Sequence, residues 1–159
     1  MGSSIGNTAL TLRDVTACMA MVTLRTEKEW SSIMGFSHEF VDLKLSRNDS
    51  LDTVINKISR LPFGVTDCSL PMKYAIDRKL SIDAFIVYSD GDTWAGEIHA
   101  DQMLKKYRKK TGKQSKFICC TTIASKSQIS DPEDPNSLDI VGFDSATPAI
   151  IGDFVRGSL

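Results

Sequence analysis

No stretch of this 159-residue sequence approaches the roughly 20 consecutive apolar residues of a membrane-spanning helix, so no membrane segment is expected. Net charge is nearly absent too. Nineteen Lys and Arg against 20 Asp and Glu leave −1 at pH 7. The molecule as a whole has no electrostatic pull toward nucleic acid or anionic lipid, and any such preference must come from a local patch. The opening residues, Met1-Gly-Ser-Ser-Ile-Gly-Asn-Thr8, have neither a basic nor an apolar segment, so no signal peptide is expected. Cysteine is scarce, and Cys18, Cys68, Cys119 and Cys120 form no C-x-x-C pair. Three of them sit among apolar residues. That reads as reduced thiols of a cytoplasmic or nuclear protein rather than a disulfide framework or a zinc site. Histidine is limited to His38 and His99, with no carboxylate orienter evident beside either, which leaves little from which to build a triad on Cys68 or Ser69.

What remains is ordinary globular composition, 42% hydrophobic and 25% charged, in a length suited to a single domain spanning 1–159. The periodicity predicts a helix over 9–28. Thr11-Leu-Arg-Asp14 opens it as a capping box, and Val15, Cys18, Met19 and Val22 recur at helical spacing, with Ala17, Ala20 and Met21 widening the apolar surface. Trp30 to Gly35 reads as a short strand. Phe40 to Leu45 alternates at period two, as an edge strand does. Asp49 or Ser50 caps a helix carrying Leu51, Val54, Ile55 and Ile58, which Pro62 and Gly64 end. A helix over 69–79 follows, with Pro71 in its first turn.

Ala84-Phe-Ile-Val-Tyr88 reads as a central parallel strand covered on both faces. His99 to Lys110 is helical with Met103, Leu104 and Tyr107 inward. Phe117 to Thr122 and Leu138 to Val141 are strands, and Thr147 to Val155 is a last helix. Strands alternating with helices predict an α/β fold with a doubly wound, mostly parallel sheet. Ligands of such sheets bind at the carboxyl ends of the strands. That edge would hold Gly64-Val-Thr-Asp-Cys68 and Ser89-Asp-Gly-Asp-Thr93.

Three patterns carry candidate chemistry. Asp90 closes a buried strand and precedes a glycine, which suits a hard-metal ligand, and the Thr66 hydroxyl is a second oxygen donor. The bland alternative makes Asp90 and Asp92 turn formers and Thr66 a cap. A strand followed by Asp-x-Asp also resembles the motif of haloacid-dehalogenase-type phosphatases, which gives a Mg-dependent phosphatase on Asp90 and Asp92 as the alternative function. Against it, Thr93 comes one place early and Trp94 stands where that motif has Thr. Lastly, Lys105, Lys106, Arg108, Lys109, Lys110 and Lys113 pack six cations into nine residues. These either contact RNA phosphates or form a solvated helix face favoured by the macrodipole, and the second reading is preferred.

Leu24-Arg-Thr-Glu-Lys28, Gly64-Val-Thr-Asp-Cys-Ser-Leu-Pro-Met72, Asp83 to Asp90, Trp94-Ala-Gly-Glu-Ile-His99, Tyr107-Arg-Lys-Lys110 and Val141-Gly-Phe-Asp144 resemble, nearly end to end, the C-terminal von Willebrand A-type domain of the SS-A/Ro (TROVE-domain) ribonucleoprotein autoantigen family. The resemblance implies a Rossmann-like fold with helices on both sheet faces and a metal-ion-dependent adhesion site (MIDAS) for Mg²⁺ or another divalent cation. Thr66 and Asp90 match its Thr and Asp. Its Asp-x-Ser-x-Ser segment is not found, and Ser3 and Ser4 do not match it. The resemblance therefore implies a first central strand missing, an incomplete cation site with weak Mg²⁺ binding, and a chain of marginal stability in isolation. It further implies a non-enzymatic binding module with an unidentified protein partner at the metal-site face. Y RNA and misfolded noncoding RNA would be partners of the full-length protein, bound by a ring outside this chain.

Overall fold

The structure is a computed structural model that describes residues 11–26, 31–36, 40–61, 66–89, 96–121 and 129–159. Ser3, Ser4, Trp30, His38, Gly64, Asp90, Asp92, Thr93, Trp94 and Thr122 lie outside them. The chain divides into two compact units, residues 1–64 and 65–159.

The first unit holds α1 (Leu12–Thr26), β1 (Met34–Phe36), β2 (Phe40–Asp42) and α2 (Leu51–Ser59). The capping box forms as its sequence requires: Thr11 N–H donates to Asp14 Oδ2 at 2.8 Å, and Asp14 N–H donates to Thr11 Oγ1 at 3.3 Å. The Thr11 hydroxyl, which donates to Asp14 Oδ2 at 2.6 Å, and then Thr11 N–H hold the Asp14 carboxyl below its ordinary range. Ala17, Met21 and Leu24 recur at i, i+4, i+7 and meet Leu43, Val54 and Ile58 in one core. Cys18 departs from the expected apolar spacing and is exposed, while Leu12, Met19 and Ala20 form a further buried stripe on α1.

Both strands of this unit are shorter than their sequence suggests. They pair antiparallel from Met34↔Asp42 to Phe36↔Phe40, so Ser31 to Ile33 precede the ladder. The alternation from Phe40 to Leu45 breaks because the Asp42 carboxylate accepts from Lys44 N–H at 2.8 Å and Lys44 turns left-handed, with φ 46°. A local side-chain bond thus outcompetes strand extension. For α2 the cap is Ser50, whose hydroxyl accepts from Thr53 N–H at 3.2 Å. Asp49 binds Ser46 N–H and Lys57 instead, and the two bonds lower its pKa.

The second unit holds α3 (Leu70–Asp77), β3 (Ala84–Ser89), α4 (Ala100–Thr111), β4 (Lys116–Thr121), β5 (Ser137–Val141) and α5 (Thr147–Arg156). The strands form a parallel sheet in the order β3-β4-β5, with Ser89↔Thr121 and Thr121↔Val141 at its carboxyl edge. In the described sheet the middle place belongs to β4, not to the more apolar β3. Five of six β4 residues are buried, whereas β3 alternates between half-buried and buried. The helix α4 crosses over between β3 and β4. Its Met103, Leu104 and Tyr107 are buried, as the 3.6-residue period requires. Tyr107 stands edge-on to Phe85 at 5.1 Å, while its hydroxyl donates to Leu80 O and accepts from Ile82 N–H, both at 2.8 Å. Among the described residues no helix is long and apolar enough to cross a membrane.

Candidate functional site

Residues 96–100, between β3 and α4 in the chain, and Ile129, between β4 and β5, line one cleft with residues 66–69, which open α3. Thr66, Asp67, Cys68 and Ser69 form one wall of a cleft of about 80 Å³, Gly96 to Ala100 the other, and Ile129 closes it. This is where a parallel sheet places ligands.

Two details fix the walls. Asp67 Oδ1 accepts from Ser69 N–H at 2.8 Å and holds the turn into α3. The Asp67 carboxylate also lies directly against Gly96: a β-carbon there would stand 2.7 Å from Asp67 Oδ1. Gly96 has φ +125°, a conformation that side chains resist, so glycine is needed both for its backbone and for the approach of Asp67. His99 is the N-cap residue of α4, and its Nδ1 lies 2.6 Å from Asp101 Oδ1. The sequence therefore does supply a carboxylate orienter, contrary to expectation. The extended backbone of His99, with φ −63° and ψ 150°, lets its ring reach the carboxylate two residues on.

Thr66 is half-buried at the cleft wall, and its hydroxyl has no hydrogen bond to another described residue. Hydroxyl and carboxylate oxygens are the donors a hard divalent cation takes. The expected second ligand, Asp90, and the phosphatase candidate Asp92 lie outside the described residues. Among the described residues, no cluster of three or more His, Cys, Asp or Glu has the geometry to hold a metal by itself.

Cys68, Cys119 and Cys120 are buried. Burial, aided by Cys68 and Asp139, pushes the Cys119 thiol far up, and burial with Asp139 pushes Cys120 to about 12. Neither is a thiolate near neutral pH, so neither is poised for nucleophilic chemistry.

The basic run lies on and just beyond α4, apart from the cleft lining, and the structure sorts its six cations. Arg108 Nη1 donates to Asp134 Oδ2 at 2.6 Å, and its Nε and Nη2 donate to Ser115 O at 2.9 and 2.7 Å. Burial pushes the Asp134 carboxyl up, but bonds from Ser137, Arg108 and Asn136 outweigh it and hold it below the ordinary range. Lys105 reaches Asp131 at 2.7 Å and Asp101 at 3.5 Å. Lys113 reaches Asp83 at 2.6 Å and Ser81 Oγ at 3.1 Å. Lys106, Lys109 and Lys110 are exposed and make no ion pair with a described residue. Spacing alone did not reveal the acidic partners Asp83, Asp131 and Asp134, because Asp131 and Asp134 lie 26 residues from their cations and Asp83 lies 30 (113 − 83) from Lys113. The Asp131-Pro-Glu-Asp-Pro135 run was the one visible signal.

Comparison with known proteins agrees with this architecture. The family model described as Ro60 vWA domain matches residues 1–155. The RNA-binding protein RO60 of Deinococcus radiodurans is 36% identical over 158 residues, 99% of this chain and 30% of that protein. The RNA-binding protein RO60 of Caenorhabditis elegans is 38% identical over 160 residues, all of this chain and 25% of that protein. The crystal structure of the Deinococcus radiodurans RO (RSR) protein superposes with a TM-score of 0.88 at 35% identity, covering 100% of this chain and 33% of that one. The chain thus spans a quarter to a third of the length of these relatives. Its fold is of the von Willebrand A type, and the chain belongs to the Ro60 vWA domain family.

Proposed function

We propose that this chain is a non-enzymatic, cation-dependent binding module of a Ro-type ribonucleoprotein, with its binding edge at the Thr66 cleft. The observation that carries the reading is the Thr66 hydroxyl at the cleft wall, without a hydrogen bond to another described residue, beside a loop held in place by the contact of Asp67 with Gly96. Thr66 and Asp90 would hold Mg²⁺ or a similar hard cation in the manner of a MIDAS, and the carboxylate of a protein partner would complete its shell. Two protein oxygens are few for an ion that demands near-octahedral geometry, so the partner's contribution is integral to the site.

The relatives' designation as RNA-binding proteins supports an RNA role for the whole protein. In this reading Y RNA and misfolded noncoding RNA are the whole protein's partners, and the cytoplasm or nucleus its compartment. Titration of Mg²⁺ into the chain, with and without a short acidic peptide, tests the cation reading. We expect weak binding by the chain alone, tighter binding with the peptide, and loss of both in Thr66→Ala and Asp90→Asn. Sub-millimolar Mg²⁺ affinity without a partner, or binding indifferent to both substitutions, would overturn it.

A further inference from the structure

We infer that the outward face of α4, formed by Lys106, Lys109 and Lys110, binds the phosphate backbone of single-stranded RNA. This surface is distinct from the Thr66 cleft and does not depend on a cation there. The six cations of the run are not equivalent. Three are neutralised within the fold: Lys105 by Asp131 and Asp101, Arg108 by Asp134, and Lys113 by Asp83. The other three stand at i, i+3 and i+4, which places them along one exposed side of the helix, beside the buried stripe of Met103, Leu104 and Tyr107. They are exposed, and no described carboxylate pairs with them.

The macrodipole accounts for Lys109 and Lys110 in the last turn, ahead of the left-handed Gly112 cap. It does not account for Lys106, one turn earlier. Lys106 repels Lys110 at i, i+4, and a bound polyanion relieves that repulsion.

The chemistry of the face favours RNA over an acidic protein. Lysine is depleted in protein–protein interfaces, whose cores are aromatic and apolar, and the remaining exposed neighbour here is Gln102. The absence of an aromatic platform on this face implies contact with the backbone rather than with bases, and hence little preference for sequence.

The experiment measures fluorescence anisotropy of a labelled 12-nucleotide oligouridylate with the full chain at a series of KCl concentrations. Three phosphate contacts at about −0.7 each predict that the combined variant Lys106→Gln, Lys109→Gln, Lys110→Gln flattens the slope of log Kobs against log salt by about 2. The corresponding triple Lys→Arg variant keeps the wild-type slope. So does a charge-matched control, Lys44→Gln, Arg47→Gln, Arg60→Gln, made at exposed positions of the other unit. A wild-type chain that fails to bind the oligonucleotide would overturn the inference. Equal losses in the two Gln variants would do the same, and so would displacement of the RNA by an equal charge of polyglutamate.

Discussion

The flank of α4 and the Thr66 cleft lie in the same unit and both collect polar side chains, yet they dispose of them in opposite ways. On the flank, each cation finds a carboxylate, and the pairs fasten α4 to the loop 131–134 and to the turn at Asp83. In the cleft, Asp67 is engaged with backbone, at Ser69 N–H and against Gly96, while the Thr66 hydroxyl has no described partner. Groups that are internally satisfied hold the fold together. Groups left unsatisfied at a concave edge are where a ligand can add something. The same contrast recurs on α4 itself, between its paired flank and its unpaired outer face.

The largest test of this contrast is Arg108→Met. The Arg108–Asp134 pair is nearly enclosed, with side chains 10% and 12% exposed. Removing the guanidinium strands a buried carboxylate and the Ser115 carbonyl, and should cost about 3–5 kcal/mol in urea unfolding. If that loss is under about 1 kcal/mol, the flank is not a structural clamp. Gly96→Ala comes next. A positive φ and a β-carbon driven into Asp67 should together cost on the order of 1–3 kcal/mol by thermal melting. Asp67→Ala in the same chain should recover part of that loss, because it removes the clash but not the backbone strain.

Smaller again is Ser50→Ala, which removes the cap of α2 and should cost about 1 kcal/mol. Lys113→Met is the least, below about 1 kcal/mol, because Asp83 is 85% exposed and solvent screens the pair. Acid offers a graded version of the same comparison. The Asp14, Asp49, Asp131 and Asp134 carboxyls are all held below their ordinary pKa of 3.8. Their stabilisation is therefore complete above that value and is lost as pH falls through the lowered folded values. Melting temperature should fall on acidification through this range, and less steeply in Asp134→Asn than in the wild type.

Much of the fold was legible in the chain because it is written in local pattern. Thr11 with Asp14 announced α1, Ser50 announced α2, and Met103, Leu104 and Tyr107 marked the inner face of α4. The differences came where a side chain competes locally with the ladder, as Asp42 does at Lys44, or where burial follows place in the described sheet, as it does for β3 and β4. The site was legible in part. Thr66 was visible from its place before a helix. The lock between Asp67 and Gly96, the contribution of Ile129 and the sorting of the lysines depend on contacts between residues far apart in sequence, which no spacing rule reports.

The central claim is that the Thr66 cleft holds a divalent cation. Paramagnetic broadening of backbone amide signals by Mn²⁺ tests it most directly. The account predicts that millimolar Mn²⁺ selectively broadens the amides of Thr66 to Ser69, and that Thr66→Ala and Asp90→Asn each abolish the effect. Broadening centred elsewhere, or unchanged in both variants, would contradict it.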